Sequence, residues 1–318
     1  MNFESVPVGS WIFQVGNNDT LPRGDVNGLE QFVNTKWLPR RRAEHPEYPW
    51  AGLEEWKIPS PIIRIDMGPS DASGYGVARR VMEVEDRPGG LGAVMTLCPE
   101  TIPLFREALA HCDGFVSMGG PIRGDDAVAA AILEKPFYDG WYGPKSGMYW
   151  VRHDTLGRNI QYPSETLLEL ERCSIVPVRA DGCKVVLIDL GLAYSLDIYL
   201  GQYGGFPWET GFCIKPKLGT WATDVHVYHP HWTDESATRT KIARETAEKE
   251  GSFLLQPLIP PRTARHNGRV HFEVQRVFLT YDPRAKCYRV AGGITMGVPS
   301  LKVHGRSDCY SRRITIEK

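Results

Sequence analysis

A chain of 318 residues is long enough for two or three packed lobes around one site. Its 42% hydrophobic and 24% charged residues exclude general disorder, and a net charge of -1 excludes a basic field for nucleic acid or anionic membrane. The seven cysteines are an odd number with no CxxC, which argues for reduced thiols over a disulfide framework. The start has no basic and apolar leader pattern, and no run reaches the roughly 18 apolar residues of a membrane span, so the expected location is cytoplasmic.

Residues 1–60 are rich in Pro, Trp and charge and lack periodicity, which predicts turns and short elements. The basic run Arg40-Arg41-Arg42 reads there as a solvated face, with a phosphate contact as the alternative. Pro61-Ile62-Ile63-Arg64-Ile65-Asp66 predicts a strand, and Val81-Met82-Glu83-Val84-Glu85 a second one forming a hairpin with it. Helical spacing over 100–112, a buried strand at Gly114–Met118 and a helix over 125–134 suggest a small α/β lobe. Further on, Gly211–Ile214 predicts a strand, followed by the loop Lys215-Pro216-Lys217-Leu218-Gly219-Thr220. Asp224–Tyr228 predicts a strand, Thr233–Gly251 a long polar helix with acidic residues at its start, and Phe253–Ile259 a third strand. Val270–Leu279 and Tyr288–Val290 read as antiparallel strands flanking Tyr281-Asp282-Pro283, the second ended by Gly292-Gly293.

Two groups of residues carry candidate chemistry. Positions i and i+2 of a strand share a face, so Glu83 and Glu85 project together and Asp66 joins them if the hairpin register permits. Three carboxylates facing one cleft suit a hard cation such as Mg²⁺ beside substrate phosphates. The competing reading is an exposed strand face paired with Arg64, Arg79, Arg80 and Arg87. The second group is Lys215 and Lys217, at the end of an apolar strand before a small-residue loop. A lysine there can reach phosphate as a point charge, and the Gly219 and Thr220 amides can add donors. A surface Lys-Pro turn is the alternative.

Other residues leave alternatives open. Arg276, between apolar neighbours, either points into a cleft or pairs with Glu273. Gly292-Gly293 and Lys302–Arg306 either close over a ligand or form bulges and turns. His226, His229 and His231, near Asp224, have a spacing that fits no zinc motif and is interrupted by Pro230.

The order strand, Lys-Pro, loop, strand, helix, strand over 211–259 resembles the central unit of ATP-grasp enzymes. The Arg64-Ile65-Asp66 strand comes before that unit. It is followed by Glu83-Val84-Glu85 and trailed by Pro88-Gly89-Gly90-Leu91-Gly92, an arrangement similar to the circularly permuted glutathionylspermidine synthetase and eukaryotic glutathione synthetase group. The resemblance covers 60–92 and 211–313. Two departures are Glu85, where that group carries Asn, and the loop after Lys217, which lacks the Arg-Glu-Gly of the bacterial relatives.

The resemblance implies an α/β ATP-grasp fold, with a lobe at 1–135 carrying the metal carboxylates and nucleotide-binding lobes at 136–318. It implies ATP and Mg²⁺ as cofactors, with Asp66, Glu83 and Glu85 on the metal and Lys215 on phosphate. Adenine would be held by a hinge at Gln256, Leu258 and Ile259, and Arg64, Lys217 and Arg276 would hold the transferred group. The implied reaction joins a small-molecule acid to an amine through an acylphosphate. A small-molecule kinase or a non-catalytic binding protein are the alternatives, and the sequence does not indicate an oligomeric state.

Overall fold

The computed structural model describes residues 17–39, 42, 58, 60–69, 81–85, 88–110, 112, 115–117, 124–135, 137–139, 175–177, 186–188, 194–195, 208–209, 211–216, 225–248, 253–258, 261–301 and 309–317. In chain order, β1 (Asp19–Leu21) leads into α1 (Arg23–Phe32), which continues as a wider π-helical turn over Val33–Trp37. Next come β2 (Ile62–Met67), β3 (Val81–Glu85), α2 (Leu91–Leu97) and α3 (Thr101–Ala108). A βαβ unit follows, made of β4 (Phe115–Ser117), α4 (Gly124–Leu133) and β5 (Phe137–Asp139), and its two strands pair in parallel. The short strands β6 (Ile175–Pro177), β7 (Val186–Ile188) and β8 (Tyr194–Ser195) lead to β9 (Phe212–Pro216), β10 (His226–Tyr228), α5 (Glu235–Glu248) and β11 (Phe253–Pro257). The chain ends in β12 (Arg262–His266), β13 (Arg269–Asp282), β14 (Cys287–Val298) and β15 (Tyr310–Ile316).

The main sheet has seven strands in the order β1-β15-β14-β13-β2-β3, with β12 added to β13. It is mixed, because β1 runs parallel to β15 while the other pairs are antiparallel. Strands from both sides of residue 135 share this sheet. A second sheet has the order β10-β9-β11-β8. The chain is therefore α/β. Among the described residues, no helix is long and apolar enough to cross a membrane.

Both faces of the main sheet are covered, which is why every residue of β2 is buried. One face carries Ile63, Ile65, Val277 and Leu279, and α1 with the turn after it packs there through Trp37 against Tyr288. The same segment protects an open strand edge. Asn34 pairs with both the amide and the carbonyl of Tyr288, and Glu30 accepts from the Val290 amide at 3.0 Å. On the opposite face α3 buries Thr101, Phe105 and Ala108, a stripe at helical spacing, with Phe105 against Phe278 at 6.0 Å between ring centres.

Two expectations need correction, and one stretch left without a structural reading gains one. Residues 1–60 include a strand and a three-turn helix, not only turns and short elements. The glycine-rich stretch after Pro88 opens α2. And Gly292-Gly293 does not end β14, which runs on to Val298. A Cβ on Gly292 would lie 2.4 Å from Thr101 Cγ2, so the glycine lets α3 approach the strand instead of stopping it.

Candidate functional site

The register of three adjacent strands, β13, β2 and the edge strand β3, arranges the charged side chains in rows. Arg276 of β13, Asp66 of β2 and Glu83 of β3 lie opposite one another, and Phe278, Arg64 and Glu85 form the next row. Opposed residues share a face, so both rows lie on the face covered by α3. The hairpin register expected for Asp66, Glu83 and Glu85 is found. Arg64, Asp66, Glu85 and Arg276 are all buried, which excludes the exposed strand face as the explanation for them.

Arg64 is the centre of the cluster. Its Nε donates to Asp66 Oδ1 at 2.6 Å and its Nη2 to Oδ2 at 3.0 Å, a two-pronged grip. Nη2 also lies 2.5 Å from Glu85 Oε1, and Nη1 donates to the Gly89 carbonyl at 2.5 Å. Arg276 Nε stands 3.6 Å from Asp66 Oδ2, close enough for ion pairing and too far for a hydrogen bond. Arg276 does not pair with Glu273, because positions three apart on a strand face opposite ways.

Asp125, near the start of α4, is buried beside these rows. Its Oδ2 accepts from the Gly90 amide at 2.9 Å and its Oδ1 from the Ala93 amide at 2.7 Å. Burial raises its carboxyl above the usual range, against the lowering effect of these amides and of the Arg276 charge. Further along the same face, Phe272 packs against Trp232, which follows β10, with ring centres 4.9 Å apart. That contact brings the second sheet to the face that carries the rows.

Other expected site residues are only partly visible. Lys215 lies in β9 opposite Leu254, and Gln256 in β11 opposite Cys213. The Leu258 amide donates to the Gly211 carbonyl at 3.3 Å. The side chains of Glu83, Lys215 and Gln256 are not described, and Lys217, Gly219, Thr220, Ile259, Arg79, Arg80, Arg87 and 302–306 lie outside the described residues. Among the described residues, no three His, Cys, Asp or Glu side chains form a metal-binding group. His226 is buried in β10, whereas the His229 ring stacks on Trp232 at 3.9 Å and accepts from the His231 amide at 3.1 Å. Burial and the neighbouring His231 push the His229 imidazole below its ordinary range. Cys98 donates to the Gly293 carbonyl at 3.3 Å, and burial pushes its thiol up to about 11, which makes it a poor nucleophile.

A second ionic cluster, which sequence reasoning missed, lies on the opposite face. Asp19 Oδ2 takes Arg262 Nη2 at 2.5 Å, Thr295 Oγ1 at 2.5 Å and Gln275 Nε2 at 3.2 Å. Glu273 accepts from Arg262 Nε, from Tyr310 at 2.6 Å, and from Arg312 at 2.8 Å on each oxygen. Burial works to raise the Asp19 carboxyl, but the hydrogen bonds from Arg262, Thr295 and Gln275 and the Arg262 charge prevail and hold it at about 2.

Neither a protein-family model nor a curated protein matches this sequence.

Proposed function

We propose that the chain is a Mg-ATP-dependent ligase of the permuted ATP-grasp kind, which joins a carboxylate to an amine through an acylphosphate and releases ADP and phosphate. The observation that carries this reading is the pair of rows Arg276-Asp66-Glu83 and Phe278-Arg64-Glu85 on three adjacent strands. They gather acidic oxygens and two guanidinium groups on one buried face. A phosphoryl-transfer site needs both kinds of group, one for the cation and one for developing negative charge.

The cation would be held by Asp66, Glu83 and Glu85, which by residue type offer the hard oxygens that Mg²⁺ prefers. When bound, the ion would neutralise developing phosphate charge. Glu85 Oε2 is reached by the Gly89 amide at 3.4 Å, a long contact that a cation can replace. Arg64 and Arg276 then hold the transferred group, and Lys215 in β9 supplies charge to the nucleotide phosphates. No covalent enzyme intermediate is required.

The test is ADP release with Mg²⁺ against panels of carboxylic acids and amines. Release that requires both an acid and an amine is the expected result. ADP formed with a stable phosphorylated product and no amine would identify a kinase. Absence of any heat or thermal shift with nucleotide and Mg²⁺ would overturn the reading and leave a binding protein of another kind.

A further inference from the structure

We infer that Asp125 is a positioning residue for this site, a clamp that holds the Gly89-Gly90 turn against Arg64 and Glu85. The inference rests on the reading of the rows as the reacting site. The carboxylate grips the Gly90 and Ala93 amides at 2.9 and 2.7 Å. Gly89 adjoins that grip, and its carbonyl anchors Arg64 Nη1 at 2.5 Å while its amide faces Glu85 Oε2. A continuous chain of contacts therefore runs from Asp125 through the turn to the guanidinium that holds Asp66 and Glu85.

The turn is shaped for this contact. Gly90 has φ +94°, a conformation that L side chains rarely adopt. Gly92 has no room for a side chain, because a Cβ there would lie 2.3 Å from the Asp125 carbonyl oxygen. An ordinary cap comes from the residue just before its own helix. Here it comes from α4, 35 positions further on, so the fold brings in a distant carboxylate to fix one turn. The Arg276 charge also acts on Asp125, which ties the carboxyl to the second guanidinium of the site.

The test reads Arg64 directly. In the full chain, Arg64 Nε–H should give a protected NMR signal. Asp125→Asn keeps one acceptor oxygen and turns an amino group toward the other amide. We expect faster Arg64 Nε–H exchange, a raised Mg²⁺ requirement and ADP release lowered about 10- to 100-fold. Gly92→Ala should speed the same exchange with every carboxylate intact. Arg64→Lys supplies the reciprocal reading, with faster amide exchange expected at Gly90 and Ala93. A lower melting temperature in Asp125→Asn with Arg64 exchange and Mg²⁺ dependence unchanged would reduce Asp125 to a helix cap and overturn the inference. So would unchanged Gly90 and Ala93 exchange in Arg64→Lys. If the parent releases no ADP with any substrate pair, the ligase reading fails, while the exchange measurements still decide the clamp.

Discussion

The two faces of the main sheet each bury arginines against carboxylates, yet the two clusters are built differently. On one face Arg64, Asp66 and Glu85 come from two neighbouring strands, joined by Arg276 from a third. On the other, Asp19, Arg262, Glu273 and Arg312 come from four different strands. There, Asp19 and Glu273 are crowded with donors from Arg262, Arg312, Thr295, Gln275 and Tyr310. The cluster ties the edge strands β1 and β12 to the sheet centre. On the first face, by contrast, Arg276 stops 3.6 Å short of Asp66, outside hydrogen-bonding distance. A buried ion pair alone therefore does not mark a reacting site. What separates the two is reach: one cluster joins neighbouring strands, and the other draws distant strands together.

The comparison can be broken most directly at Arg262. Arg262→Ala removes one partner from a buried cluster, and the expected cost is about 3–5 kcal/mol of stability. Chemical denaturation measures it, and ADP release per folded molecule should stay at the parent level. A loss of turnover without a loss of stability would reverse the roles assigned to the two faces. Next in size is Glu83→Gln, expected to cut ADP release about 100- to 1000-fold through a weaker hold on the Mg²⁺ that neutralises the developing phosphate charge. Steady-state assays across Mg²⁺ concentrations decide it, and unchanged turnover would remove Glu83 from the site. Lys215→Ala should weaken nucleotide binding by about 1.5–3 kcal/mol, read by isothermal titration, with folding intact.

The smallest effect sharpens the structural role of Asp19. Its carboxyl is held at about 2, below the ordinary aspartate range, so its contribution is complete above the unfolded value and is lost as pH falls through the folded one. Stability of the parent should therefore drop between about pH 4 and 2 more steeply than that of Asp19→Asn. Parallel curves from acid titrations of both proteins would show that Asp19 has no such part.

Strand alternation revealed β2, β3 and the start of β13 because each alternates charged or polar residues with apolar ones. It also revealed the face shared by Glu83 and Glu85, since period two fixes direction without knowledge of the neighbours. Glycine was misleading at Gly292 in β14, which reads as a strand end but, like Gly92 in α2, is a close approach between elements. Such contacts depend on what packs above the residue, which the local sequence does not contain. The Asp19 cluster was illegible for a related reason, as Asp19 lies 243 positions before Arg262 and the members share no motif. Helix α1 has Val26, Leu29 and Phe32 at helical spacing, but its polar surroundings hid the pattern.

The position of β2 between β13 and β3 has a consequence for synthesis. One of its partners, β3, follows closely in the chain, but the other, β13, begins at Arg269, roughly 200 residues later. At typical ribosomal rates of about 5–20 residues per second, β2 waits on the order of 10–40 s before that partner exists. During that time one edge of the β2–β3 hairpin offers unpaired backbone groups beside Ile63 and Ile65, a template for pairing with the wrong strand. Arg64 and Asp66 alternate with those apolar residues on the waiting edge, and their charges disfavour stacking of one nascent hairpin on another.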